Sequence, residues 1–180
     1  TISIEELEAL SREYVRGLYK HIGPNKDVPA PDVNTDPRII DWMVDEYEQL
    51  TGDTTKASFT SKSLNNGGSQ GRTAATGRGG VIVLKELLKL QNKLGTRLTY
   101  AIQGFGNVGS YFGLVAEHDE PKWELRAATD SSGGFTSSKA VSAKKLDDFK
   151  HKGGKLVAYT DQSITNEQLL SADVDVLVLA

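Results

Sequence analysis

The sequence predicts an α/β fold, a doubly wound sheet with crossover helices, preceded by a helical segment. Three observations carry this. Short apolar runs at 98–103, 124–129, 156–159 and 174–179 alternate with helical patterns, the order of a parallel sheet. A glycine cluster at 104–109 joins the first of these strands to the next helix. A polar, glycine-rich stretch at 53–76 separates this alternating part from two earlier helical patterns.

Each element has a local reason. The first helix opens at Ser3, a capping hydroxyl with Glu6 three residues on, the capping-box spacing. Leu7, Leu10, Tyr14, Leu18 and Ile22 then share one helical face, and Gly23-Pro24 stops the helix. In 27–33 (Asp-Val-Pro-Ala-Pro-Asp-Val) the prolines exclude a helix or a central strand and leave an extended segment. Asp36 as cap and Pro37 at the first helical position start a second helix. Ile39, Ile40, Met43, Val44 and Tyr47 form its apolar face, and Gly52 ends it.

The two units are placed at 1–56 and 57–180. In the second, a helix is expected over 77–94, apolar at Val81, Leu84, Leu87, Leu88 and Leu90. Strand 98–103, helix 107–117, strand 124–129 and helix 142–151 follow, then strand 156–159, helix 165–170 and strand 174–179. The final run lacks the continuation and covering helix that a buried parallel strand needs, which predicts a domain truncated at its C-terminus.

Composition narrows the function classes. The chain has 180 residues, 25% charged and 38% hydrophobic, as in ordinary folded proteins. A formal charge of −3, from 21 basic and 24 acidic residues, argues against a nucleic-acid partner. With no cysteine, disulfides, thiolate metal sites and cysteine nucleophiles are excluded. His21, His118 and His151 share no ligand spacing, so no metal is expected. No apolar run approaches the roughly 20 residues that span a bilayer, and 1–6 lacks the start of a signal peptide. No membrane partner and a cytoplasmic location are therefore expected.

Gly104-Phe105-Gly106-Asn107-Val108-Gly109 matches G-x-G-x-x-G between a predicted strand and a predicted helix, the context that gives this otherwise weak pattern meaning. Gly104 suits the tight turn, Gly106 a close approach of backbone to a pyrophosphate, and Gly109 close helix–strand packing. The diphosphate would rest on free N–H groups at the helix N-terminus. A plain strand-to-helix turn is the alternative reading. Asp130 stands 21 residues after Gly109, where an acidic residue bonds the adenosine ribose. Its charge favours NAD over NADP, although Ser131 and Ser132 follow and can donate to a phosphate, so NADP stays open. Asp130 also suits a turn before Ser131-Ser132-Gly133-Gly134. The second unit is accordingly read as a Rossmann-like dinucleotide-binding domain.

The ordered motifs go further. They are Ile22-Gly23-Pro24, the segment 27–33, Gly67-Gly68-Ser69-Gln70-Gly71-Arg72, Ala75-Thr76-Gly77-Arg78-Gly79 and the glycine turn. Thr129-Asp130-Ser131-Ser132-Gly133-Gly134 and Thr165-Asn166-Glu167 complete the set. From end to end the chain resembles the glutamate/leucine/phenylalanine/valine dehydrogenase family, and Val28-Pro29-Ala30-Pro31-Asp32 favours its glutamate branch.

The resemblance implies NAD(P)-dependent oxidative deamination of L-glutamate to 2-oxoglutarate and ammonia, with 1–56 as the tail of a substrate and oligomerisation domain. It implies homo-hexameric assembly. Asp32 matches the family's catalytic aspartate, suited to moving protons and to stabilising an iminium. Arg72 and Thr76 match residues near the nicotinamide end, and Asn107 one at the phosphate turn. Thr76 equally suits a cap for a helix starting at Gly77, and Asn107 a cap of its own helix. The family's lysine-bearing G-G-x-K-G-G motif is absent from this sequence, so the chain alone is expected to bind coenzyme with little turnover. Leu64-Asn65-Asn66 and Gln70 depart from the pattern. The alternatives are a related leucine, valine or phenylalanine dehydrogenase, and a non-catalytic nucleotide-binding module.

Overall fold

The computed structural model describes residues 2–32 and 34–180. Thr1, and Val33 at the end of the proline-rich motif, lie outside the described residues. The chain divides into two compact units, Thr1–Arg72 and Thr73–Ala180.

In the first unit, α1 (Ile4–Leu18) starts on the Ser3–Glu6 capping box that the sequence predicts. It ends earlier than expected, at Leu18, because the chain turns through Tyr19–His21 before Ile22 pairs with Asp27. Asp36 caps α2 (Pro37–Thr51) by accepting from the N–H groups of Arg38 and Ile39, and Gly52 closes it in the left-handed conformation. The core of the unit is Val15, Ile22, Ile40, Val44, Tyr47 and Phe59.

The face of α1 that packs differs from expectation. Ser11 and Val15 are buried, whereas Leu10 and Tyr14 are exposed. The helices are held together by charge as well: Glu46, buried on α2, accepts from Arg16 Nε at 2.7 Å and faces Arg12 at 3.4 Å. A salt-bridged polar seam thus takes the place of part of an apolar one.

The second unit is a five-stranded sheet. Its strands are β1 (Leu98–Gln103), β2 (Trp123–Asp130), β3 (Gly133–Val141), β4 (Ser163–Ile164) and β5 (Val176–Leu179), in the spatial order β4-β3-β2-β1-β5. The helices are α3 (Arg72–Leu90), α4 (Asn107–Asp119), α5 (Ala143–His151) and α6 (Asn166–Leu170). β2 and β5 flank β1 in parallel, so the strand order reverses at β1. In doubly wound sheets ligands bind outside the carboxyl ends of the strands at such a reversal. Tyr100, Ile102, Phe105, Leu125, Phe135, Leu146 and Leu156 form the core, each contributing about 1.5–3 kcal/mol by burial.

Several expectations are corrected. The sheet is mixed: β3 turns back on β2 as an antiparallel hairpin pairing Asp130 with Gly133, and β4 adds antiparallel to β3. Phe135, Ala140 and Val141 alone give β3 apolar character, with no alternating pattern, and a Ser-Ser turn is a weak hairpin signal. The expected strand at 156–159 is a 3₁₀ turn over Leu156–Ala158. Leu156 is fully buried and Tyr159 packs on Phe135 and Phe149, so this run covers the sheet without pairing with it. The helix placed over 77–94 spans Arg72–Leu90. β5, expected to be buried, is an edge strand with Leu177 and Leu179 exposed. Among the described residues no helix is long and apolar enough to cross a membrane.

Candidate functional site

β1 ends at Gln103 and the chain turns through Gly104 at φ +88°. A Cβ at Gly104 would lie 2.0 Å from the carbonyl oxygen of Ala180, whose N–H donates to Gln103 O. The N–H groups of Gly104 and Phe105 both donate to Thr129 O, which ties the turn to β2. A Cβ at Gly109 would sit 2.3 Å from Gly104 O and 2.8 Å from Ile102 Cγ2, so the start of α4 presses against the turn. Gly106 is the opposite case: nothing lies within 4 Å of its Cβ position, and the residue is exposed. Gly104 and Gly109 thus stand at the tight turn and the close helix–strand contact that the spacing implies, while Gly106 leaves its Cβ position open.

Ser3, Asp36, Ser142 and Thr165 cap α1, α2, α5 and α6 with side-chain oxygens. α4 begins at Asn107, behind Gly106, with no side-chain cap. Its first N–H groups have no partner within the helix and point out at the positive end of the helix dipole. Asn107 is not a cap: its Nδ2 donates to Thr73 O at 3.1 Å, joining the start of α4 to the first turn of α3. A cavity of about 440 Å³ opens here, lined among others by Thr73, Phe105, Gly106, Asn107, Ser110 and Lys150.

Asp130 ends β2. Its Oδ1 accepts from the N–H of Ser132 at 2.9 Å and from the Ser132 hydroxyl at 2.7 Å, and its Oδ2 lies 3.1 Å from Lys150 Nζ. Burial works to raise this carboxyl, but the Ser132 hydrogen bonds and Lys150 outweigh it and hold it below the usual carboxylate range. Asn166 Nδ2 donates to Asp130 O at 3.0 Å, which uses the Thr165-Asn166-Glu167 motif to brace the hairpin. The Ser132 hydroxyl is therefore committed to Asp130, while Ser131 is exposed.

Lys150 is a residue that sequence reasoning missed. It stands in the last turn of α5, where a basic residue complements the helix dipole and draws no notice. Its Nζ reaches Phe105 O at 2.5 Å as well as Asp130. No local spacing encodes a contact with residues 45 and 20 positions away.

Thr76 lies inside α3, four residues after its start, and does not cap it. The helix begins earlier, at Arg72, and Gly77 within it lies against α4, where a Cβ would meet Phe112 N at 2.5 Å and Val108 O at 2.7 Å. Thr76 lines a second cavity of about 470 Å³ together with Val108, Val178 and Ala180. Arg72 is the exposed first residue of α3.

Asp32 belongs to the first unit. The Thr35 hydroxyl accepts from Asp32 N at 2.7 Å and donates to Asp32 O at 2.6 Å, a local loop that fixes the backbone after Pro31. Asp32 lines a cavity of about 410 Å³ with Pro29, Pro31, Leu10, Tyr14 and Ile39. The exposed apolar face of α1 is the wall of that cavity.

Comparison with known proteins follows this geometry. Residues 67–180 match the family model described as Glutamate/Leucine/Phenylalanine/Valine dehydrogenase, and residues 1–49 its dimerisation domain. The catabolic NAD-specific glutamate dehydrogenase of Bacillus subtilis is 40% identical over 100% of this chain and 42% of its own length. The NADP-specific glutamate dehydrogenase A1 of Halobacterium salinarum is 38% identical over 99% and 43%. The hetero-hexameric glutamate dehydrogenase of Thermus thermophilus superposes with a TM-score of 0.89 at 30% identity, over 99% of this chain and 42% of that one. The chain thus spans about two fifths of the length of the curated relatives it matches.

Proposed function

The chain belongs to the glutamate/leucine/phenylalanine/valine dehydrogenase family, and from this premise we propose that it is the coenzyme-binding part of a glutamate dehydrogenase with the tail of the substrate domain ahead of it. The observation that carries the coenzyme reading is the uncapped N-terminus of α4 behind Gly106, with open space where a pyrophosphate would approach. Gly104–Gly109 and the α4 N–H groups would hold the diphosphate, Asp130 the adenosine ribose, and Arg72 and Thr76 the nicotinamide end. When bound, the nicotinamide supplies the hydride acceptor.

The reaction is the oxidative deamination of L-glutamate to 2-oxoglutarate and ammonia, NAD(P)-dependent, since relatives of both coenzyme specificities align over this chain. Asp32 takes the proton from the substrate amine and returns one to the departing ammonia. As a carboxylate it also stabilises the positive imine intermediate. Its cavity, walled by Pro29, Pro31 and Leu10, supports that role by leaving room for a substrate beside the exposed Asp32. Residues 1–56 belong to the substrate and oligomerisation domain, 57–180 to the coenzyme domain, and the protein works as a cytoplasmic homo-oligomer, a hexamer.

Titration of this chain with NADH, followed by nicotinamide fluorescence, tests the coenzyme reading. Saturable binding is expected; a folded chain that binds neither NADH nor NADPH overturns it. In the full-length protein Asp32→Asn is expected to lower kcat for glutamate by about 10²–10⁴, with NADH affinity unchanged. Unchanged turnover overturns the role of Asp32.

A further inference from the structure

The sequence reading sets Asp130 against a 2′-phosphate, because a free carboxylate there repels it. The structure does not leave that carboxylate free. Oδ1 already accepts two hydrogen bonds from Ser132, and Oδ2 is paired with Lys150. Of its lone pairs, one on Oδ2 remains for a ribose hydroxyl. The pair Asp130–Lys150 carries no net charge, so the long-range repulsion expected of a lone aspartate is cancelled.

Lys150 has capacity left over. An ammonium has three N–H donors, and Lys150 directs two of them to Asp130 Oδ2 and Phe105 O. Its side chain is 32% exposed and lines the cavity at the α4 N-terminus. An anion arriving beside Asp130 therefore meets a positively charged donor held in place from both sides.

Resting on the coenzyme reading above, we propose that Lys150 sets coenzyme choice at this site: it neutralises Asp130 and donates to the 2′-phosphate of NADP, so that the site accepts NADP as well as NAD. With NAD, the ribose hydroxyl takes the open lone pair of Asp130 and Lys150 stays on the carboxylate. With NADP, Lys150 shares its charge between the carboxylate and the phosphate. Ser131, next to Asp130 in the chain, is exposed.

The test uses the 180-residue chain, titrated in parallel with NADH and NADPH. Lys150→Met is expected to raise the ratio of NADPH to NADH dissociation constants by about tenfold or more, the worth of a charge-assisted hydrogen bond. Lys150→Arg keeps the charge and is expected to leave the ratio within about threefold. A ratio unmoved by Lys150→Met, or equal losses for both coenzymes, overturns the proposal. A second measurement needs no variant: adenosine 2′,5′-bisphosphate and AMP, which differ only in the 2′-phosphate, are titrated against the unaltered chain. Comparable or tighter binding of the bisphosphate is expected, and a bisphosphate bound about tenfold or more weaker than AMP overturns the proposal. A chain that binds NADH while failing these tests leaves the coenzyme reading standing; a chain that binds none of the four probes overturns that reading instead.

Discussion

Asn107 Nδ2 donates to the backbone carbonyl of Thr73 at 3.1 Å, so the first residue of α4 is fastened to the first turn of α3. The bond spans the edge of the cavity at the glycine turn, and it makes the position of the α4 N-terminus depend on α3. Losing it in Asn107→Ala is expected to cost about 1 kcal/mol in urea unfolding. Asn107→Asp loses the same donor but gains a negative charge at the helix N-terminus, which the dipole favours. It is expected to be at least as stable as the alanine variant and to bind NADH more weakly. The opposite ranking for NADH would remove Asn107 from the diphosphate site.

Gly106 and Gly109 separate ligand space from packing space. Gly106→Ala meets nothing in the protein within 4 Å, so its melting temperature should stay close to that of the parent while NADH affinity falls. Gly109→Ala forces a methyl to 2.3 Å from Gly104 O and is expected to cost about 1–3 kcal/mol by overpacking. Differential scanning calorimetry and NADH titration of the two variants decide this. Unimpaired NADH binding by Gly106→Ala would move the diphosphate elsewhere.

Asp130 has a pH signature. Its folded carboxyl is held below its ordinary value by Ser132 and Lys150, despite burial. A depressed folded pKa contributes stability that is fully present above the unfolded value, about 3.9, and is lost as the pH falls through the folded value. Asp130→Asn should therefore be less stable than the parent by about 1 kcal/mol at pH 6, and the gap should close below the ordinary carboxylate range. Thermal melts across pH 2.5–6 measure the gap; one independent of pH would mean the Asp130 charge contributes nothing.

In the first unit, Glu46 is buried against Arg12 and Arg16. Glu46→Gln removes the charge that two guanidinium groups face. Because Arg16 is half-exposed, the expected loss is about 1–2 kcal/mol, less than the roughly 3–5 of a fully enclosed pair. Hydrogen exchange should show faster opening of α1 and α2 and little change in the sheet. Uniform acceleration across both units would show that Glu46 acts on more than the α1–α2 seam.

The sequence by itself determined the features that depend on neighbours along the chain. The Ser3–Glu6 box, the Asp36-Pro37 start, the apolar run of β1 and the glycine turn are local, since caps, turns and periodicity are decided within a few residues. The glycine spacing even separated the open position, Gly106, from the packed ones. The motif order also carried the family.

Tertiary structure alone decided the rest. The hairpin of β3 on β2 depends on pairing with a strand already in place, not on an apolar run of its own. Leu156–Tyr159 has the composition of a strand, but the edge beside β3 is taken by β4 and its side chains fill the sheet's covering layer instead. Lys150 acquired its place beside Asp130 and Phe105 only when α5 packed against the sheet. A side chain's electrostatic partner is set by distance in space, and a lysine in a last helical turn reads the same along the chain whether it faces solvent or a carboxylate.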